Sequence, residues 1–200
     1  MEEKKPSFLF RVSKFISDLF NPLVSLCLFF VYTSIRLYSF EDALMHFLPL
    51  LLIIILPVVI WITWNVKTGR YTNMDVSNRV QRFSLYFFIT ACVLAYMMFN
   101  YIRNGQVDLV VLFILILLLT MQISNYYIKS SMHTAFNVFV AALYFATDLG
   151  WGIAWSGIAA LVGLTRVIVG RHTSKEVFMG AGIAVVVSFL YLYCRIQFQS

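Results

Sequence analysis

Charge is what this sequence has least of. Only 12% of its 200 residues are Asp, Glu, Lys or Arg, while 61% are apolar, and so few charges cannot coat a water-exposed surface. A soluble globular protein is thereby excluded. The net charge of +6 is spread thinly, with no dense basic run, stacking platform or recognition motif, so no nucleic acid partner is expected. Cysteine is scarce as well. Cys27, Cys92 and Cys194 lie far apart inside apolar segments without C-x-x-C spacing, which excludes a disulfide framework or zinc knuckle and leaves them as small core or lipid-facing residues. The opening MEEKKPSFLFRVSKFISDLF has no long apolar core ahead of a small-residue cleavage site, so a cleaved signal peptide is not expected.

What the sequence has in abundance is long apolar stretches. A helix of about 20 residues crosses the ~30 Å hydrocarbon layer, and seven stretches approach or exceed that length, over residues 22–39, 44–64, 83–102, 107–126, 134–149, 152–169 and 177–195. The expected fold is all-α, a polytopic transmembrane helical bundle with six to seven spans. Ahead of them, Phe8, Val12, Phe15, Ile16, Leu19 and Phe20 fall at helical spacing opposite Arg11, Lys14 and Asp18, which predicts an interfacial amphipathic helix over residues 1–20. The transmembrane domain then covers 21–200. Pro49 and Pro57 lie inside the second span and should bend it without ending it. Trp61 and Trp64, with Trp151 and Trp155, mark interfacial belts. Small-xxx-small pairs at Ser156/Ala160, Ala159/Gly163 and Gly180/Ala184 predict close contacts for spans six and seven, whereas the Leu- and Ile-rich second and fourth spans are expected to face lipid.

Counting crossings puts the loops 65–82, 127–133 and 170–176 on one face. These loops carry most of the reactive side chains: Arg79, Arg82, Lys129, Ser131, His133, Arg166, Arg171, His172 and Glu176. Ionisable groups near membrane depth are costly and need partners or a function. Three helix N-termini on that face would add positive dipole ends, and with Arg82, Arg166 and Lys129 they suit a group carrying about two negative charges, such as phosphate. Two histidines in an anion pocket suggest phosphoryl transfer, one attacking phosphorus and the other protonating the leaving oxygen. Glu176 lies about one turn beyond His172. It is placed either to hold one imidazole nitrogen or to complete a Thr173-x-x-Glu176 capping box. Likewise, Ser131 is a candidate N-cap, and Asp75 with Arg79 is a candidate exposed ion pair of small energetic weight.

At these residues the sequence resembles the type 2 phosphatidic acid phosphatase superfamily, the membrane branch of the group that includes vanadium haloperoxidases. That family carries KxxxxxxRP, PSGH and SRxxxxxHxxxD signatures. The third is matched in spacing by Thr165, Arg166, His172 and Glu176. The second is matched by Ser131 and His133, with Ser130 and Met132 in place of proline and glycine. In the first, Arg82 matches the arginine, Phe83 replaces proline and Asp75 stands at the lysine position. The similarity covers about residues 65–195. It implies that His172 is the nucleophile, His133 the general acid and Glu176 the residue that orients His172, in place of the usual aspartate. Arg82, Arg166, Ser131 and Lys129 would hold the phosphate, with Lys129 replacing the missing lysine and Arg79 beside them. No metal or other cofactor is implied.

The expected function is therefore a metal-independent lipid phosphatase acting on a phosphate monoester or diphosphate in the bilayer. Two other classes share the same residues: an anionic-lipid binding or transport protein, and an intramembrane metalloenzyme with His133, His172 and Glu176 as zinc ligands. The predicted location is a bacterial inner membrane. Sidedness stays open. Lys4, Lys5, Arg11, Lys14, Lys67, Arg70 and Lys175 favour a cytoplasmic site by the positive-inside rule, and the resemblance favours the outer face.

Overall fold

The structure, a computed structural model, describes residues 7–199 and their side chains through Phe198. Lys4 and Lys5 lie outside the described residues. The chain is all-helical: α1 (Phe8–Leu19), α2 (Pro22–Leu37), α3 (Phe40–Leu50), α4 (Leu56–Lys67), α5 (Arg79–Asn104), α6 (Leu109–Tyr127), α7 (Met132–Phe145), α8 (Leu149–Ile168) and α9 (Ser174–Gln199). Polar side chains start most of these helices by accepting otherwise unpaired backbone N–H groups. Ser7, Ser39, Asn78, Asp108, Ser131 and Asp148 each serve in this way. Gly105, at φ +67°, ends α5 in the left-handed conformation that glycine adopts without a Cβ penalty.

Among the described residues five helices are long and apolar enough to cross a membrane, or six if the bent pair α1–α2 counts as one span. The protein is thus a multi-pass membrane protein. One expected span is shorter than predicted: α7 has 14 residues, about 21 Å at 1.5 Å per residue. Eleven of those 14 residues are buried, so α7 is a helix wrapped in protein.

The chain folds into two compact units that interleave along the sequence. The first comprises the chain up to Phe29 together with Ser130–Phe189, and the second Phe30–Lys129 together with the chain from Leu190 onward.

In the second unit, α3 and α4 form one continuous helix, Phe40–Lys67, joined by a π turn at Leu51–Ile55. The turn lies between Pro49 and Pro57, each of which removes a helical donor and crowds the carbonyl four residues earlier. Pro49 leaves the Met45 carbonyl without its helical donor, and Arg103 Nη1 reaches that oxygen at 3.5 Å. As expected, the prolines do not end the helix, which runs unbroken from Phe40 to Lys67. Burial corrects the lipid-facing assignment of the fourth span, because 44% of the α6 window is buried against only 11% of Phe40–Lys67. Lipid tails are as apolar as leucine, so Leu and Ile content cannot distinguish the two environments.

The loop between α4 and α5 is built around Tyr71. Its hydroxyl accepts from Trp61 Nε1 at 3.1 Å and lies 2.8 Å from Ser84 Oγ. Tyr71, Val76 and Leu85 form an apolar cluster against Trp61, Ile62, Val66 and Ile89. Val76 is held at φ +44°, a left-handed backbone that costs a β-branched residue about 1–3 kcal/mol.

In the first unit, α8 packs against both α7 and α1. Ala159 and Gly163 turn inward while Ser156 and Ala160 are exposed, so one of the two predicted small-residue pairs on α8 makes the contact. Inside this unit Asn137 uses all four of its hydrogen-bonding valences. Its Oδ1 accepts from Ser25 Oγ at 3.0 Å and Trp155 Nε1 at 3.2 Å, and its Nδ2 donates to the carbonyls of Phe20 at 2.9 Å and His133 at 2.8 Å. One buried amide thereby ties the α1–α2 elbow, α7 and α8 together.

Candidate active site

The spacing between Arg166 and His172 follows from how α8 ends. Gly170 adopts φ +70°, and its N–H donates to the Val167 carbonyl at 2.9 Å while Arg171 N–H donates to the Arg166 carbonyl at 3.0 Å. This pair of bonds is the Schellman motif, which reverses the chain beyond a left-handed glycine. The next residue, His172, donates its own N–H to the same Arg166 carbonyl at 3.2 Å. Arg166 and His172 are therefore brought together by main-chain bonds as well as by sequence.

Glu176 performs both of the tasks that the sequence left as alternatives. Its Oε2 lies 2.9 Å from His172 Nδ1 and accepts the Thr173 N–H at 3.1 Å, while Thr173 Oγ1 accepts the Glu176 N–H at 3.3 Å. The capping box is complete, and the imidazole is held by the same carboxylate. The His172 side chain is 0% exposed and that of Glu176 is 19% exposed. With Nδ1–H donated to the carboxylate, the lone pair of the neutral ring lies on Nε2.

The start of α7 meets the start of α9 directly. Ser131 N–H donates to the Glu176 carbonyl at 3.0 Å, and a Cβ on Gly180 would lie 2.6 Å from the Ser131 carbonyl oxygen. The glycine of the predicted Gly180/Ala184 pair is what allows this approach. Ser131 also caps α7, accepting Thr134 N–H at 3.4 Å and Thr134 Oγ1–H at 3.0 Å. His133 sits in the first turn of α7 and is buried. The two histidines thus lie within four residues of a single backbone bond, at the same end of this unit. Arg166 is completely buried and donates from Nη1 to Ser17 Oγ at 2.8 Å.

Ser131, His133, Arg166, His172 and Glu176 all belong to the first unit, while Arg79, Arg82 and Lys129 belong to the second. Arg79 has an evident structural occupation there. Its Nε donates to the Asn125 carbonyl at 2.6 Å and its Nη2 to the Tyr126 carbonyl, while Asn125 Nδ2 returns a bond to the Arg79 carbonyl. A cation at the last carbonyls of α6 is favourable for the helix dipole. This arrangement replaces the ion pair expected between Asp75 and Arg79. Arg82 is buried and donates from Nε to the carbonyl of the strained Val76 at 3.0 Å. Lys129 is half-buried in the segment between α6 and α7.

Three residues important to this geometry escaped the sequence reading. Asn137 stands alone in the apolar run of α7, where an uncharged polar residue at membrane depth usually bonds across helices, and that isolation was its signal. Ser13 and Ser17 are the buried residues of α1, and their i,i+4 spacing was the corresponding signal. Among the described residues no three His, Cys, Asp or Glu side chains come together to hold a metal ion, so the zinc alternative finds no ligand set at His133, His172 and Glu176. Comparison of the chain with protein-family models, with curated proteins and with solved structures finds no match.

Proposed function

We propose that this protein is a lipid phosphatase of the bilayer, acting on a phosphate monoester or diphosphate through a phosphohistidine. The observation that carries the reading is the Glu176 carboxylate on Nδ1 of a fully buried His172. In the first step His172 Nε2 forms a bond to phosphorus as the bond from phosphorus to the lipid oxygen breaks. The leaving oxygen takes a proton from the protonated His133. Glu176 offsets the positive charge that develops on the phosphorylated imidazole, and Arg166 neutralises the phosphoryl oxygens. In the second step His133 removes a proton from water, the water oxygen bonds to phosphorus, and the bond from Nε2 to phosphorus breaks. Phosphate leaves and His133 is protonated again. The chemistry needs no metal in this scheme. The substrate class is a lipid phosphate because the residues sit in a multi-pass membrane protein, and the resemblance in motif spacing suggests a bacterial cell membrane.

The test is release of inorganic phosphate by the purified chain from phosphatidic acid, phosphatidylglycerol phosphate, polyprenyl diphosphate and lipid A phosphates. At least one should be hydrolysed, His172→Ala should abolish the activity without loss of membrane insertion, and vanadate should inhibit. Turnover retained in His172→Ala would remove the nucleophile. Stoichiometric lipid-phosphate binding without any release would replace the phosphatase by an anionic-lipid carrier.

A further inference from the structure

The scheme above leaves the N-terminal helix without a task, yet α1 is attached to the candidate site at two points. Along its length only Ser13 and Ser17 are buried, while Phe8, Leu9, Val12, Phe15 and Leu19 are exposed. Ser17 is 1% exposed, and its hydroxyl accepts the Nη1–H of the equally buried Arg166 at 2.8 Å. The second attachment follows one turn later in the chain. There the Phe20 carbonyl accepts from Asn137 Nδ2, the same amide nitrogen that donates to the His133 carbonyl.

A guanidinium recognises phosphate through a planar fork of N–H groups, and a rotated plane loses the match. An Arg side chain has several rotatable bonds, so something must fix its terminal plane. A buried hydroxyl on Nη1 does this, because the bond is directional and no bulk water competes for it. Resting on the phosphatase reading, we propose that Ser17 is a positioning residue that orients the Arg166 guanidinium toward the substrate phosphate. The N-terminal helix is then a working part of the phosphate site.

The experiment uses the full chain in detergent micelles with phosphatidic acid, comparing Ser17→Ala, Ser17→Thr, Ser17→Cys and Ser13→Ala. Loss of one charge-assisted bond should raise KM and weaken vanadate inhibition about tenfold in Ser17→Ala. Ser17→Thr, which keeps the acceptor, should restore both. Ser13→Ala removes a hydroxyl from the same helix face and should move neither. If Ser17→Ala does not fold, Ser17→Cys decides, since it keeps the volume and supplies a poorer acceptor; about a threefold effect is expected. Unchanged KM and vanadate inhibition beside normal wild-type turnover would overturn the positioning role and leave the phosphatase reading standing. If wild type hydrolyses no lipid phosphate, the phosphatase reading fails instead, and calorimetric binding of inorganic phosphate decides the role of Ser17. Weaker binding in Ser17→Ala supports it; equal binding, or none in wild type, overturns it.

Discussion

The two units of this chain are built from equally apolar helices but spend their polar residues differently. In the first, polar side chains lie inside: Ser17, Ser25, Ser131, Asn137, Arg166 and His172 are all buried, and most bond across elements. In the second, most such contacts gather at helix ends and in the loop after α4, where Tyr71, Arg79 and Arg82 fasten carbonyls and hydroxyls. The buried side chains of α6 are instead Leu, Ile, Val, Phe and Met up to Asn125 near its end. Helices in lipid gain little from hiding leucine, so specific association depends on close packing and on hydrogen bonds. Small and polar residues inside a span therefore indicate where protein meets protein, and leucine does not.

The contrast can be broken most forcefully at Gly180. An alanine Cβ there meets the Ser131 main chain, which has no flexible end to yield. Gly180→Ala should cost about 3 kcal/mol by overpacking and lower phosphate release at least tenfold, as read by thermal unfolding in detergent and by assay. Gly182, with nothing within 4 Å of its Cβ position, is the internal control and should tolerate alanine. Next in size, Asn137→Ala should cost about 2–3 kcal/mol, since four partners, three of them buried, lose their bond at once, whereas Asn125→Ala in the second unit should cost about 1 kcal/mol. Equal effects would erase the distinction between the units. Gly170→Ala should cost about 1–2 kcal/mol because its φ is positive, with a fall in kcat through the displaced His172. Smallest is Arg79→Gln, expected to lower stability by about 1 kcal/mol through its helix-end bonds and to leave KM unchanged. A raised KM there would bring Arg79 back among the phosphate-binding residues.

Much of this was legible in the sequence. Scarcity of charge and the lengths of the apolar stretches gave a helical multi-pass protein, the small-residue pair at Gly180 marked a place of close helix contact, and the spacing from His172 to Glu176 put the carboxylate within reach of the ring. The choice posed for Glu176 was not legible, because a capping box and an imidazole partner demand the same spacing. Nor was the burial of α6, since composition is blind to whether leucine touches lipid or protein. The attachment of Ser17 to Arg166 spans 149 positions, beyond the reach of any local periodicity, and the role of Asn137 depends on three other elements being in place.

One oxygen atom of Glu176 serves two masters, the main chain at the head of α9 and the ring of His172. The terminal turn of that helix cannot fray without letting the imidazole swing. On the phosphatase reading, local melting there would also end the chemistry, and warming should silence the protein before its helices come apart.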